Sequence, residues 1–307
     1  MKYWLASIAI LGLVSCSSDE GVPPLQGTVR GDDPLAAQIF ATAQAEEAAG
    51  EREKAIKSYG WLLKKCPVDK RAAESKFRQA TLLKEEGRAV DSFKTFQGFI
   101  ERYPGSSLYQ SAITQQEEIA HAAAHGTIRT NFLGLKSRLD RNIIVGMLEK
   151  VRDNAPRANS APRAQFTIGQ VNEFSEVPDQ AIRAYEKLLD DYPRSSVAPD
   201  AQFRIGEILL KQANEGNQDQ ANLARAKSSY SDLLLAYPNS AFVEQARQRV
   251  ATIGSRDLQS SYDIGEFYRK KGELDSAAYY YQDVINRTAA GDLRNRAAAR
   301  LAALTQN

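Results

Sequence analysis

The sequence predicts an all-α solenoid of about six helix pairs, closed by a C-terminal capping helix. Three observations carry the prediction. The tetrapeptides YPGS (103–106), YPRS (192–195) and YPNS (237–240) recur, and Pro67 and Pro156 stand in equivalent places. Pro67 to Pro104 is 37 residues, as is Pro156 to Pro193. A fixed period of this length marks stacked supersecondary units. Between the prolines, apolar residues recur at helical spacing, and each proline closes a helix.

The chain divides into residues 1–15, 16–35 and 36–304. Residues 1–15 read as a lipoprotein signal peptide. Lys2 supplies a positive charge, and residues 3–14 (YWLASIAILGLV) are almost wholly apolar. That run suits a secretory signal and is too short to span a bilayer. Leu13-Val14-Ser15-Cys16 resembles a bacterial lipobox. The resemblance implies diacylation of the Cys16 thiol, cleavage before it and acylation of the new amine. Several acyl chains anchor stably where one binds only marginally. Ser17, not Asp, follows the cysteine, which under the same resemblance implies the outer membrane, facing the periplasm. Residues 16–35 are then the lipidated cysteine and a flexible tether. The stretch SSDEGVPPLQGTVRGDDPL is rich in Gly, Pro, Ser and Asp and cannot bury enough apolar surface to become ordered. Its expected reach is roughly 25 Å.

Residues 36–304 are the repeats. In 199–238, PDAQFRIGEILLKQ gives one helix, with small Gly206 where another helix can approach. The polar stretch ANEGNQDQ follows, then ANLARAKSSYSDLLLAYP, with Ala226, Tyr230 and Leu234 on one face. The serine of each YPxS motif is placed to help cap the next helix. This grammar resembles the tetratricopeptide repeat. With the proline at position 32, Ala43, Ala80 and Gly169 fall at position 8, Ala55 and Ala181 at 20, and Tyr59, Phe96 and Tyr185 at 24. Gly50 and Gly87 fall at the turn. The last unit, 257–286, has Gly265, Gly272, Ala277 and Tyr281 in register but no closing proline. The segment 108–156 fits worst, with a prolonged first helix and a loop near 126–134. Residues 292–304 read as the cap that a solenoid needs.

Composition excludes several functions. Without Lys2, 39 basic residues face 38 acidic ones, so the chain is not built to coat nucleic acid. Once Cys16 is lipidated, Cys66 has no partner. The chain is not a disulfide scaffold, and Cys66 reads as a small buried hydrophobe. His121 and His125 lie one turn apart, with Glu117 a turn earlier, but no further ligand set accompanies them. There is no nucleophile elbow, P-loop or dinucleotide fingerprint. The expectation is a protein that is no enzyme, with no cofactor, no metal and no small-molecule substrate.

Two aromatic patterns are candidate binding surfaces. Phe40, Phe77, Phe166, Phe203 and Tyr262 occupy position 5 of five units, which borders the partner-binding groove in many such repeats. An aromatic stripe there suits an extended or helical apolar ligand. The competing role is core packing, because position 4, usually the large core residue, is Lys76, Gln165, Gln202 or Ser261 in four of those units. In YYYQ (279–282), Tyr281 has a core position, whereas Tyr279 and Tyr280 do not. At least one of them is expected to face out as an interface.

The lipobox, tether and repeats with YPxS together resemble the BamD family, the repeat lipoproteins of the outer-membrane β-barrel assembly machinery. GEFYRKKGELDSAAYYYQDVI (265–285) resembles that family's C-terminal repeat. The resemblance covers about 35–304, with departures at the long third unit and at 213–221. It implies a scaffold whose C-terminal repeats dock on the barrel insertase and whose N-terminal repeats receive unfolded outer-membrane proteins. The alternative is an envelope adaptor of another pathway, in Tol–Pal or peptidoglycan coordination or as a pilus or secretin pilotin.

Overall fold

The computed structural model describes residues 31–132, 135–215 and 220–304. The expected signal peptide and Cys16 lie outside the described residues. The chain forms two compact units, the first ending at Leu139 and the second starting at Asp140.

The first unit holds α1 (Pro34–Ala48), α2 (Arg52–Lys65), α3 (Ala72–Glu85), α4 (Ala89–Arg102) and α5 (Tyr109–Ala124), followed by strands β1 (Arg129–Phe132) and β2 (Leu135–Arg138). Each helix packs on the next. Asp33 starts α1, its carboxylate accepting the Leu35 N–H at 2.8 Å, with Pro34 in the first turn. This is the usual division of labour at a helix start. Gly50 and Gly87 turn the chain at φ +75° and +74°, a conformation that glycine adopts without steric cost.

The second unit holds α6 (Arg141–Asn154), α7 (Ser160–Phe174), α8 (Pro178–Asp191), α9 (Ala198–Glu215), α10 (Gln220–Ala236), α11 (Val243–Lys271), α12 (Leu274–Arg287) and α13 (Asp292–Leu304). Successive helices again pack in order, and α13 lies against α12 as a cap.

The repeat grammar has a steric basis. Tyr59, Phe96, Tyr185, Tyr230 and Tyr281 are completely buried, and Ala43, Ala80, Ala55 and Ala181 lie with them. A Cβ at Gly206 would sit 2.6 Å from the Tyr230 ring, and one at Gly265 would sit 2.9 Å from Tyr281. Both are closer than side-chain carbons approach, so these rings need glycine opposite them.

A polar chain runs through the same contacts. The Tyr59 hydroxyl donates to Glu47 at 2.8 Å, Tyr185 to Glu173 at 3.0 Å, Tyr230 to Glu207 at 2.5 Å and Tyr281 to Glu266 at 2.6 Å. Each glutamate also accepts an arginine from a later helix: Glu47 from Arg78, Glu173 from Arg204, Glu207 from Arg249 and Glu266 from Arg300. Phe96 has no hydroxyl to place. In its repeat the polarity is reversed, with Lys84 donating to Gln115 at 2.7 Å and to Glu118 at 2.8 Å. Burial, followed by the nearby carboxylate of Glu74, pushes the Tyr59 phenol up to about 12. Burial and their partner glutamates likewise raise Tyr185, Tyr230 and Tyr281.

Four local expectations need correction. The loop expected near 126–134 is the antiparallel β1–β2 hairpin, with Arg129 opposite Arg138 and Phe132 opposite Leu135. The hairpin interrupts the third unit, so α5 packs on α4 and α6 on α7. The YPxS serines do not sit at the cap position. Ser106 and Ser240 accept from Leu108 N and Phe242 N at 3.2 Å, bracing the turn before the helix, and the Ser195 hydroxyl has no partner among the described residues. Finally, Val243–Lys271 is one 29-residue helix, which joins the stretch after YPNS to the last unit.

Candidate functional site

The C-terminal repeat carries two exposed aromatic side chains, Phe267 and Tyr279. Helices α11 and α12 meet at Gly272, whose φ of +81° closes α11 in the left-handed conformation. This turn sets the two helices side by side. Tyr262, Ala277, Tyr281 and Val284 point into their shared core. The opposite side presents Phe267, 52% exposed, and Tyr279, 70% exposed.

Four rings form a ladder across the pair. Tyr279 meets Tyr280 edge-on at 5.4 Å, Tyr280 stacks on Tyr268 at 5.7 Å, and Tyr268 meets Phe267 edge-on at 5.5 Å. The Lys271 ammonium sits 4.7 Å from the centre of the Phe267 ring, a favourable cation–π placement. Of the two tyrosines proposed from sequence, Tyr279 is exposed and Tyr280 is half-buried within the ladder.

A polar cluster is centred on Glu266, next to Phe267 in the chain. Glu266 binds Tyr281, Arg269 and Arg300. Burial pushes its carboxyl up, but hydrogen bonds from Arg269 and Tyr281 outweigh this and hold it at about 2. Beside the ladder, a cleft of about 720 Å³ opens along α11, lined by Asn214, Leu223, Arg256, Asp257, Ile264 and Phe267, among others. Arg256 donates to Asn214 at 2.9 Å across it, and Asp257 is ion-paired with Arg287. Phe267 belongs to both ladder and cleft. The surface can therefore offer rings to a partner while a side chain of that partner enters the cleft. No group of histidine, cysteine or carboxylate side chains that could hold a metal occurs among the described residues.

The position-5 residues are placed differently. Phe166, Phe203 and Tyr262 are each 8% exposed, and Phe40 and Phe77 are half-buried. Each packs on the aromatic of its own repeat: Phe40 on Tyr59, Phe77 on Phe96, Phe166 on Tyr185, Phe203 on Tyr230 and Tyr262 on Tyr281, at 5.4–5.9 Å. Ring packing thus occupies all five, Phe203 also stacking on Phe242 at 4.9 Å, and Phe40 and Phe77 are the least buried of them. Two of the polar position-4 residues are absorbed by backbone: Gln165 donates to Ala184 O at 2.8 Å and Gln202 to Ser229 O at 3.1 Å. Cys66 is buried, and its thiol donates to Asp33 at 3.4 Å. Nε2 of His121 lies 4.0 Å from Glu117, and His125 follows the end of α5.

The family model described as YfiO, outer membrane lipoprotein, matches residues 206–301, less than half of the chain but the part that carries ladder and cleft. Two tetratricopeptide-repeat models match residues 175–221 and 74–106. A search of curated protein sequences finds no match. Among solved structures, the chain is similar to the MamA protein (17% identity, 67% of this chain and 93% of that one, TM-score 0.32). It is also similar to a tetratricopeptide repeat protein from Parabacteroides merdae (12% identity, 90% and 100%, TM-score 0.31). A third is a thermophilic repeat protein from Thermus thermophilus (15% identity, 71% and 98%, TM-score 0.30). None of the matching models is an enzyme family. With helix pairs, small residues and buried rings in the repeat's register, and with two repeat models matching residues 175–221 and 74–106, the chain has the fold of a tetratricopeptide-repeat-like helical solenoid.

Proposed function

We propose that the protein is a lipid-anchored scaffold of the outer membrane that acts in the assembly of β-barrel outer-membrane proteins. The observation that carries the proposal is a coincidence of place. The outer-membrane lipoprotein family model matches residues 206–301, and the exposed rings and cleft of α11 and α12 fall inside that span. In this reading Cys16 carries the lipid and the protein faces the periplasm. The ladder of Phe267, Tyr268, Tyr280 and Tyr279 docks on the periplasmic part of the barrel insertase. Exposed tyrosine and phenylalanine suit an interface core, because they bury much area with little loss of side-chain freedom. The N-terminal repeats receive unfolded outer-membrane proteins along Phe40 and Phe77. No bond is made or broken.

The test is affinity recovery of the tagged full chain from detergent-solubilised outer membranes, read by mass spectrometry. Stoichiometric insertase is expected with the parent chain. A Phe267→Ala/Tyr279→Ala variant should recover about tenfold less, the usual scale for losing an aromatic anchor. Recovery of Tol–Pal components or a secretin, without insertase, overturns the assembly role and assigns the scaffold to another envelope pathway.

A further inference from the structure

Helix α2 has two unlike faces. Ala55, Ile56, Tyr59 and Leu62 are buried. On the other side Lys57, Trp61, Lys64 and Lys65 are exposed, with Trp61 at 50%. Spacings of four and three put Lys57, Trp61 and Lys64 in one row, and Lys65 lies one turn beyond Trp61. Val68, also 50% exposed, follows just past the helix end. The carboxylates at the start of α2 are already engaged, Glu51 with Lys54 at 2.9 Å and Glu53 with Arg88 at 3.5 Å. Lys57, Lys64 and Lys65 have no carboxylate partner among the described residues.

The chain arriving from the N-terminus is fixed at the end of this helix. Gly31 bridges to Asp69, and its carbonyl accepts the Lys70 N–H at 3.2 Å. The Asp33 N–H donates to Asp69 at 2.8 Å, and Asp32 is ion-paired to Lys70 and Arg71. Residues 16–30, fifteen in number, reach at most about 50 Å when fully extended. Whatever holds Cys16 to a bilayer therefore keeps the C-terminal end of α2 within that distance.

The geometry points to a membrane-contact face on α2: Lys57, Lys64 and Lys65 bind the headgroups of an anionic phospholipid leaflet, and Trp61 enters the headgroup boundary between them. Charge selects this occupant. Three free ammonium groups around one indole match an anionic interface, where lysines gain from the surface potential and tryptophan prefers the boundary. The inference rests on the membrane-anchored reading, from which it takes the nearness of the bilayer.

Trp61 supplies the test. The chain has two tryptophans, Trp4 and Trp61, so Trp61 is the sole indole in the full chain with Trp4→Phe. In vesicles of phosphatidylethanolamine and brominated phosphatidylglycerol, Trp61 emission is expected to fall about twofold and shift to the blue, because an interfacial indole lies within reach of the acyl bromines. Adding Lys57→Gln, Lys64→Gln and Lys65→Gln should restore the emission while the chain still floats with the vesicles. Emission insensitive to bromine in a floating chain overturns the contact. So does equal quenching in wholly zwitterionic brominated vesicles, or a photocrosslinker at position 61 that captures protein in place of lipid. The anchor is read separately, by lipid labelling at Cys16. If Cys16 carries no lipid, the anchor reading falls, and Trp61 quenching on added vesicles still decides the α2 contact.

Discussion

Tyr230 answers three demands at once. Its ring fills the space that a side chain on Gly206 would need. Its hydroxyl donates to Glu207, and Glu207 accepts Arg249 at 2.8 Å and 3.0 Å. The ring satisfies packing, the phenol satisfies a buried donor, and the arginine carries the link to the next helix. Gly206→Ala should therefore cost about 1–3 kcal/mol, because the ring cannot retreat into a filled core. Gly146→Ala is the control. It lies in α6 with nothing within 4 Å of an added Cβ, and it should gain up to about 1 kcal/mol from helix propensity alone. Urea denaturation of the two variants checks both signs.

The C-terminal pair and its cap are held at Glu266, and this gives the element a pH signature. Glu266 lies at about 2 in the fold against an ordinary 4.5. A depressed carboxyl contributes its full stability above the ordinary value and loses it as pH falls through the folded one. The α11–α12–α13 contacts should thus weaken between about pH 4.5 and 2. Glu266→Gln should melt earlier at neutral pH and show a flatter melting temperature across that window, measured by near-ultraviolet dichroism of the tyrosines. Much of this element was legible in the chain. Gly265, Ala277 and Tyr281 announced the packing face, and the misfit of Tyr279 and Tyr280 to that face announced exposure. The cleft was not legible, because Asn214, Leu223 and Arg256 come from three helices and meet only after folding. The 29-residue helix was missed for a different reason. Residues 241–256 lie outside the repeat register, so they were not joined to the last unit, although Val243, Ala246, Val250 and Ile253 recur at helical spacing and no proline interrupts the stretch before Gly272. The hairpin was hidden because four-residue strands are too short to establish an alternation. The Tyr–Glu–Arg links were present in the letters, but their spacing shifts between repeats: Glu173 lies four residues after Gly169, whereas Glu207 directly follows Gly206.

At the scale of the whole molecule, no helix of the described residues is long and apolar enough to cross a membrane, and the comparisons connect the C-terminal repeats with an outer-membrane lipoprotein family. The proposed attachment through Cys16 has a direct readout. Cells fed an alkynyl palmitate should label the parent chain, and Cys16→Ala should lose all label. Where that attachment meets the folded body also has a mechanical consequence. The chain is pinned to the turn between α2 and α3 before α1 begins. With the proposed anchor at Cys16, a pull on the chain before Gly31 would reach the Gly31–Lys70 and Asp33–Asp69 bonds at the α2–α3 turn before it reached α1. The chain would then yield at that turn first, and the unfolding of α1 would come after it.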